Sequence, residues 1–313
     1  MADAKPDIVQ AEPLPPFVAE KLESLFTVHK LFEAPDRDAM IQATAETTRG
    51  MAVDGAADAA LIAAYPKLEI IAANSVGVDA IDLAAAAERG IIVTNTPDVL
   101  TGCVADMAIA LWLAATRRLV ECDRFVRDGA WPKTKPPLSW RAWGKRLGII
   151  GLGKIGKAIA ERAAAFGMTI AYHGRNRQDD VPYAYYDDPV ALAADSDVLI
   201  LACPGGQETR HLVNAKVLGA LGADGILVNV ARGSVVDQPA LVTALRGKAI
   251  RAAGLDVFED EPNAPKELFA LDNVVLQPHR GSSTLETATA MGDLLIENLV
   301  RHFDGLDVLT RVE

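Results

Sequence analysis

Cysteine is scarce in this chain, with three in 313 residues. Cys103, Cys122 and Cys203 are far apart and show neither the pairing of a disulfide framework nor the close spacing of a metal site. That usage fits a reducing compartment, and the expected location is the cytoplasm, with no metal. Positive charge is also short: a formal net charge of -11 excludes a bulk electrostatic grip on nucleic acid or anionic lipid, so any anion must be bound locally. Long apolar runs are missing. The longest, Met107 to Thr116, falls far short of the roughly 20 residues of a membrane span. The opening Met-Ala-Asp-Ala-Lys-Pro-Asp has no basic start followed by an apolar stretch, so it does not read as a signal peptide. Aromatics make up only 5%, which disfavours a sandwich of aromatic strands. Internal repeats and low-complexity segments are absent from the sequence as well.

What is present is alanine and aliphatic residues, half the chain being apolar. The length suggests two domains. Up to about residue 98, short apolar runs (Asp7 to Val9, Gly50 to Val53, Leu68 to Ala73, Ile91 to Thr94) alternate with Ala-rich helical stretches. That pattern predicts βα units and a parallel sheet. A long helical pattern runs from Thr101 to about Asp128, and the Pro- and Lys-rich Trp131 to Pro137 stops it. A second series follows at Arg146 to Ile150, Thr169 to Tyr172, Val198 to Leu201, Ile226 to Asn229, Ala252 to Val257 and Val274 to Leu276. Each run is apolar throughout, as strands covered on both faces should be. The final helical stretch, about Thr284 to Phe303, has no strand left to serve in this series and is expected to return to the first domain.

Gly151-Leu152-Gly153-Lys154-Ile155-Gly156 lies between an apolar strand and an Ala-rich helix. In that context the first glycine permits the tight turn, the second lets backbone approach a pyrophosphate and the third lets the helix pack on the sheet. The helix N-terminus, expected near Ile155, then faces the phosphates. Where an NAD-binding strand usually ends in Asp or Glu, this chain has Tyr172-His173-Gly174-Arg175-Asn176-Arg177. No carboxylate is there to repel a 2′-phosphate, and two guanidinium groups are there to bind one. NADP(H) is the expected cofactor, with NAD(H) still able to enter.

Three further features follow strands of the second series, where open α/β sheets bind ligands. Arg232 follows Asn229-Val230-Ala231, an acid cluster runs from Asp256 to Glu261, and His279 sits in Gln277-Pro278-His279-Arg280-Gly281. Together they suit reduction of a 2-keto acid: Arg clamps the carboxylate, His protonates the carbonyl oxygen, and a carboxylate keeps the imidazolium charged and oriented. His29, His173, His211 and His302 have no such setting.

With these residues in view, the chain resembles the D-isomer-specific 2-hydroxyacid dehydrogenase family over nearly its whole length, most of all the glyoxylate/hydroxypyruvate reductase branch. The matching runs are Asn74 to Asp82, Asn95 to Thr101, the glycine turn, Val228 to Gly233, Gly254 to Pro262 and Pro278-His279. The resemblance implies two Rossmann-like or flavodoxin-like α/β domains with parallel sheets and the active site in the interdomain cleft. Residues 1–98 and 284–313 are expected to bind substrate, and residues 99–283 the dinucleotide. Arg232 matches the substrate-binding arginine, Glu261 the partner of the histidine, and His279 the acid/base. Asp256 matches a residue that holds the nicotinamide carboxamide, and Thr101 one near the nicotinamide. Further cofactor contacts are expected at Lys154, Ile155, Cys203, Pro204, Thr209, Val230, Ala231 and Gly281. Backbone amides around Val76 and Gly77 match a turn that receives the substrate carboxylate, and Met51 to Gly55, with Val53, a loop beside the substrate's variable end. The helix from Thr101 and the arm through Trp131 and Trp140 match the segment with which such enzymes dimerise.

Two departures stand out. Arg280 follows His279 where a small or apolar residue is common; it either lowers the histidine pKa or binds a second anion. Gly205 and Gly206 replace a bulkier residue on the adenosine side, which predicts a looser loop there. The activity implied is NADPH-dependent reduction of glyoxylate or hydroxypyruvate to a D-2-hydroxy acid by hydride transfer. Alternatives are a phenylpyruvate-type or phosphoglycerate-type dehydrogenase and, from another class, a non-catalytic NAD(P)-sensing corepressor, because fold does not fix function. Pairing with Glu261 rather than Gln disfavours a formate-type enzyme.

Overall fold

The computed structural model describes residues Lys5 to Val312. The chain divides into two compact units, Met1–Leu100 with Ser282–Glu313, and Thr101–Gly281.

In the first unit the elements run β1 (Asp7–Gln10), α1 (Pro16–Leu25), β2 (Thr27–Lys30), α2 (Arg37–Thr44), β3 (Gly50–Val53), β4 (Ala56–Ala57), α3 (Ala59–Ala63), β5 (Ile70–Ala73), β6 (Ala80–Ile81), α4 (Leu83–Glu88) and β7 (Ile92–Thr94). A five-stranded sheet has the order β2-β1-β3-β5-β7, with every neighbouring pair parallel, and β4 and β6 form a small sheet of their own. Neighbouring residues on each strand serve opposite faces: Val9, Met51, Val53 and Ile71 join one core, while Ile8, Ala52, Ile70 and Ala72 join another. The second core includes Leu295, Ile296 and Leu299 of the last helix, so the chain's end covers the face that its beginning leaves open. Continuous apolar strands are the consequence of this two-sided burial.

The second unit begins with α5 (Thr101–Arg117) and α6 (Leu119–Arg127) and continues β8 (Arg146–Ile150), α7 (Lys154–Ala164), β9 (Thr169–His173), β10 (Ala184–Tyr186), α8 (Pro189–Ala194), β11 (Val198–Leu201), α9 (Ala215–Leu221), β12 (Ile226–Asn229), α10 (Gln238–Arg246), β13 (Ala252–Leu255), α11 (Lys266–Phe269) and β14 (Val274–Leu276). Its seven strands are all parallel in the order β10-β9-β8-β11-β12-β13-β14. The order reverses between β8 and β11, the switch point at which such sheets bind ligands. The last helix, α12 (Leu285–Phe303), starts at Thr284, whose hydroxyl accepts from the Thr287 amide.

Four strands escape the hydrophobic pattern: the two-residue β4 and β6 of the small sheet, and one edge strand in each larger sheet. Thr27–Lys30 and Ala184–Tyr186 are edge strands with no fully buried position, so their residues carry no continuous apolar signal. The long helix expected from Thr101 to Asp128 is broken. Arg118 takes a left-handed conformation (φ 54) between α5 and α6. The returning arm explains the break: the Trp140 amide bonds the Thr116 carbonyl at 3.2 Å, and the Arg118 guanidinium lies 5.9 Å from the Trp140 ring.

Candidate active site

Several βα helices begin with a built-in cap: Asp58, Asp82, Asp188, Asn214 and Asp237 each accept a first-turn amide. Helix α7 does not. Its N-cap is Gly153, without a side-chain cap, and the helix starts at Lys154, one residue before the expected Ile155. With no side chain capping it, this helix start presents its dipole to an anion. The glycines divide the work. Gly151 has φ 95, and a β-carbon there would stand 2.5 Å from the Cys203 backbone. A β-carbon on Gly156 would strike the Gly151 carbonyl oxygen. Gly153 has open space where its β-carbon would be, as does Gly174. An uncapped helix, an open glycine and a tight turn fit the pyrophosphate of a dinucleotide.

After β9 the loop is tied down. Gln178 donates its side-chain amide to the Leu152 carbonyl at 2.8 Å and its backbone amide to the Tyr172 hydroxyl at 2.6 Å, while Tyr185 donates to the Gly174 carbonyl at 3.2 Å. Arg175, Asn176 and Arg177 are exposed on this brace. Two carboxylates follow closely, but each faces a cation: Asp179 lies 3.8 Å from Arg177 and Asp180 lies 3.0 Å from Lys157. Arg175 has no ion-pair partner among the described residues, so one guanidinium rather than two is uncommitted. On the neighbouring loop, burial pushes the Cys203 thiol up to about 11, which keeps it protonated and chemically quiet. Past Pro204, the two glycines do not leave the loop unbraced, because the Thr209 hydroxyl closes it onto the Pro204 carbonyl at 2.8 Å.

His279 holds φ 53, an unfavourable conformation for a residue with a side chain. Asp256, only 2% exposed, enforces it: its carbonyl accepts the His279 amide, and its two carboxylate oxygens accept the amides of Arg280 and Gly281 at 2.7 and 2.8 Å. A β-carbon on Gly281 would come within 2.8 Å of that carboxylate, so glycine is needed there. The imidazole Nδ1 then lies 2.7 Å from Glu261 Oε2, while the other Glu261 oxygen accepts the Phe258 amide at 2.9 Å. The hydrogen bond with Glu261 raises the histidine pKa above its ordinary value; burial works against it, and the charge of Glu261 adds to it. For Glu261, burial alone would raise the pKa, but the bonds from His279 and Phe258 and the charges of His279 and Arg232 bring it below the usual range. The cation that works against His279 is Arg232. Arg280, for which that role was one of two alternatives, has an exposed side chain and gives its backbone amide to Asp256.

The turn carrying Arg232 is braced by buried Asn229, whose side chain accepts from the Ala231 amide at 3.0 Å and donates to the Arg232 carbonyl at 2.9 Å. The Val230 amide is held by the Leu201 carbonyl. Thr101 opens α5, and the carbonyl of Gly102 beside it accepts from Arg162 of α7. Thus Arg232, Glu261, His279 and Asp256 are assembled in one unit, on loops at the carboxyl ends of β12 and β13 and beyond β14.

In the first unit, Val76 and Gly77 lie in the turn after β5, and their amides donate to no partner among the described residues. Met51, Ala52 and Val53, expected in a loop, are instead the last residues of β3, all with 0% exposure. Only Asp54 and Gly55 form the loop proper, because the sheet core takes the three aliphatic side chains. Sequence reasoning missed Asn229, Gln178, Tyr185 and Glu259. Glu259 is bound by His211 at 2.7 Å and Arg210 at 3.0 Å, a setting no local motif announces.

Residues 109–281 match the family model described as D-isomer specific 2-hydroxyacid dehydrogenase, NAD binding domain. Over 302 residues the chain is 47% identical to glyoxylate/hydroxypyruvate reductase A of Arabidopsis thaliana, covering 96% of each chain. It is equally 47% identical, again over 96% of each, to hydroxyphenylpyruvate reductase of Plectranthus scutellarioides. Among solved structures, an NADPH-dependent glyoxylate/hydroxypyruvate reductase of Sinorhizobium meliloti, in complex with NADP and malonate, superposes with a TM-score of 0.94 at 44% identity, covering 99% of this chain and 97% of that one.

Proposed function

The chain belongs to the D-isomer specific 2-hydroxyacid dehydrogenase family, and we propose that it reduces small 2-keto acids, glyoxylate and hydroxypyruvate foremost, to D-2-hydroxy acids with NADPH. The observation that carries this is the Glu261–His279 pair at 2.7 Å, set beside Arg232. A reduced nicotinamide, when bound, supplies the hydride. Protonated His279 gives its proton to the carbonyl oxygen, and Glu261 keeps the imidazole charged until then. Arg232 and the amides of Val76 and Gly77 receive the carboxylate, with positive charge left where the alkoxide develops. Thr101–Gly281 is the dinucleotide unit, and the unit built from both chain ends binds the substrate. Gly151, Gly153 and Gly156 hold the pyrophosphate, and Arg175 binds the 2′-phosphate, in line with the NADP bound by the Sinorhizobium relative.

Equal identity to a hydroxyphenylpyruvate reductase favours a second reading, in which the preferred keto acid is aromatic. Steady-state rates with glyoxylate, hydroxypyruvate, phenylpyruvate and phosphohydroxypyruvate, each with NADPH and NADH, separate the two. Replacing His279 by Ala should cost about 100-fold or more in kcat/KM; a loss of only a few fold ends the assignment, and a wild-type chain without turnover favours the corepressor reading instead.

The working form in this reading is a cytoplasmic homodimer. Leu119, Val126, Trp131, Leu138 and Trp143 are 53 to 91% exposed along α6 and the arm, an apolar surface that suits a second copy. Sedimentation should give two 33.2 kDa chains, and charge placed at Leu119 and Val126 should give one.

A further inference from the structure

The turn after β5 is held by its carbonyls. The Ser75 carbonyl accepts from the Thr96 amide at 2.8 Å, the Val76 carbonyl from the Asn95 side-chain amide at 2.8 Å, and the Gly77 carbonyl from the Ser75 hydroxyl at 2.8 Å. In a trans peptide the carbonyl and the next residue's N–H point in opposite directions. Holding those oxygens therefore turns the amides of Val76, Gly77 and Val78 away from their donors, and none of these peptides can flip without losing a bond. The Asn95 side chain in particular sets the aim of the Gly77 amide.

Asn95 is in turn held from the far end of the chain. Its amide donates to the Thr310 carbonyl at 3.2 Å, and its carbonyl accepts from the Thr310 hydroxyl at 2.6 Å. Asn298 of α12 is fully buried and spends all but one of its side-chain bonds on this contact. It accepts from the amides of Leu309 and Thr310 and donates to the Leu294 carbonyl and the Thr310 hydroxyl. The tail runs antiparallel beside β7, with the Val312 amide on the Val93 carbonyl. A relay thus runs Asn298, Thr310, Asn95, Val76 carbonyl, Gly77 amide. A buried carboxamide with every polar atom satisfied has one orientation, so the relay has little freedom.

We propose that Asn95 is a positioning residue for the substrate carboxylate, and that Thr310 and Asn298 lock it through the C-terminal tail. This rests on the reading of Val76 and Gly77 as the carboxylate site. It adds that affinity for the acid is set by residues that do not touch it, two of them in the last helix and tail. The relay accounts for a buried Asn flanked by Leu295, Ile296 and Leu299 on the helix face and for a tail hydroxyl committed to a loop more than two hundred residues earlier.

The test measures binding of oxamate, a carboxylate mimic of the keto acid, to the NADPH-loaded full-length protein, with NADPH affinity, kcat and Tm followed in parallel. Asn95→Ala should weaken oxamate and raise the keto-acid KM by about tenfold, the range of one lost hydrogen bond to a charged group. NADPH affinity and kcat should stay within about twofold, a split that general loosening does not give. Thr310→Val should weaken oxamate by roughly threefold or more, and Thr310→Ser, which keeps the hydroxyl, should restore it. A folded Asn95→Ala with wild-type oxamate affinity overturns the proposal. If that variant does not fold, equal oxamate affinity in Thr310→Val and Thr310→Ser overturns it. If the wild-type chain neither binds oxamate nor reduces keto acids, the functional reading itself fails and this inference falls with it; binding by wild type and variants alike refutes the relay alone.

Discussion

Gly233→Ala probes how the loops carrying Arg232 and Glu261 are spaced. Gly233 follows Arg232 directly, and a β-carbon there would overlap the carbonyl carbon and oxygen of Phe258 and the amide nitrogen of Glu259. Real β-carbons essentially never come within 3.0 Å of such atoms. The obstacle is backbone, not the end of a flexible side chain, so the Phe258–Glu259 peptide has to move by roughly 1 Å or more. It has little room to do so: the Glu259 amide is held by Gln238 and its carboxylate by Arg210 and His211. The displacement falls on the Phe258 amide that fixes Glu261 and on the turn that presents Arg232. Misplacement of this size costs about 100-fold in rate, and overpacking costs roughly 1 to 3 kcal/mol in stability, a fall in Tm of roughly 2 to 12 °C for a unit of this size. The assay is kcat/KM for glyoxylate with NADPH, alongside a thermal melt. Gly219→Ala is the control, since Gly219 lies in α9 with nothing within 4 Å of its would-be β-carbon. That change should leave activity alone and stabilise by up to about 1 kcal/mol. Should Gly233→Ala keep kcat/KM within threefold and melt like wild type, close backbone approach is not what sets the spacing.

Other expectations are simpler. With protonated His279 as the proposed proton donor, its pKa raised by Glu261, activity should fall as pH rises through that raised value. Glu261→Gln removes the charge and should move the alkaline limb of the kcat/KM profile to lower pH, the loss at pH 8 exceeding that at pH 6 by on the order of tenfold; a parallel loss at all pH values contradicts this role. Arg175→Ala should cut the NADPH over NADH preference by about tenfold or more, read as the ratio of the two kcat/KM values, and an unchanged ratio removes Arg175 from the 2′-phosphate site. Gly151→Ala, forced to φ 95 against the Cys203 backbone, should abolish NADPH fluorescence titration while leaving a folded first unit by circular dichroism.

How much was legible in the sequence depended on whether the cause was local. The glycine turn could be read because each glycine answers a constraint within six residues of chain, and central strands could be read because two-sided burial makes them uniformly apolar. Arg232 and His279 stood out because each lies three residues past such a strand, whereas Glu261 was separated from its acid cluster only by the family resemblance. Edge strands Thr27–Lys30 and Ala184–Tyr186 went unseen for the converse reason: with no position fully buried, they carry no apolar signature.

What the tertiary structure alone decided is where polar side chains spend their hydrogen bonds. Asp256, matched by resemblance to a nicotinamide-side residue, lies buried beneath the His279 turn with both carboxylate oxygens on backbone amides, and the cation acting against His279 is Arg232. Arg118 breaks a helix that its own sequence would continue, because Trp140 returns to the Thr116 carbonyl. Thr310 bridges Asn298 to Asn95 only because a tail lies against β7. Periodicity and glycine spacing record local backbone needs and so survive in one dimension, whereas a hydrogen bond between residues hundreds apart leaves no trace until packing has brought its donor and acceptor within 3 Å.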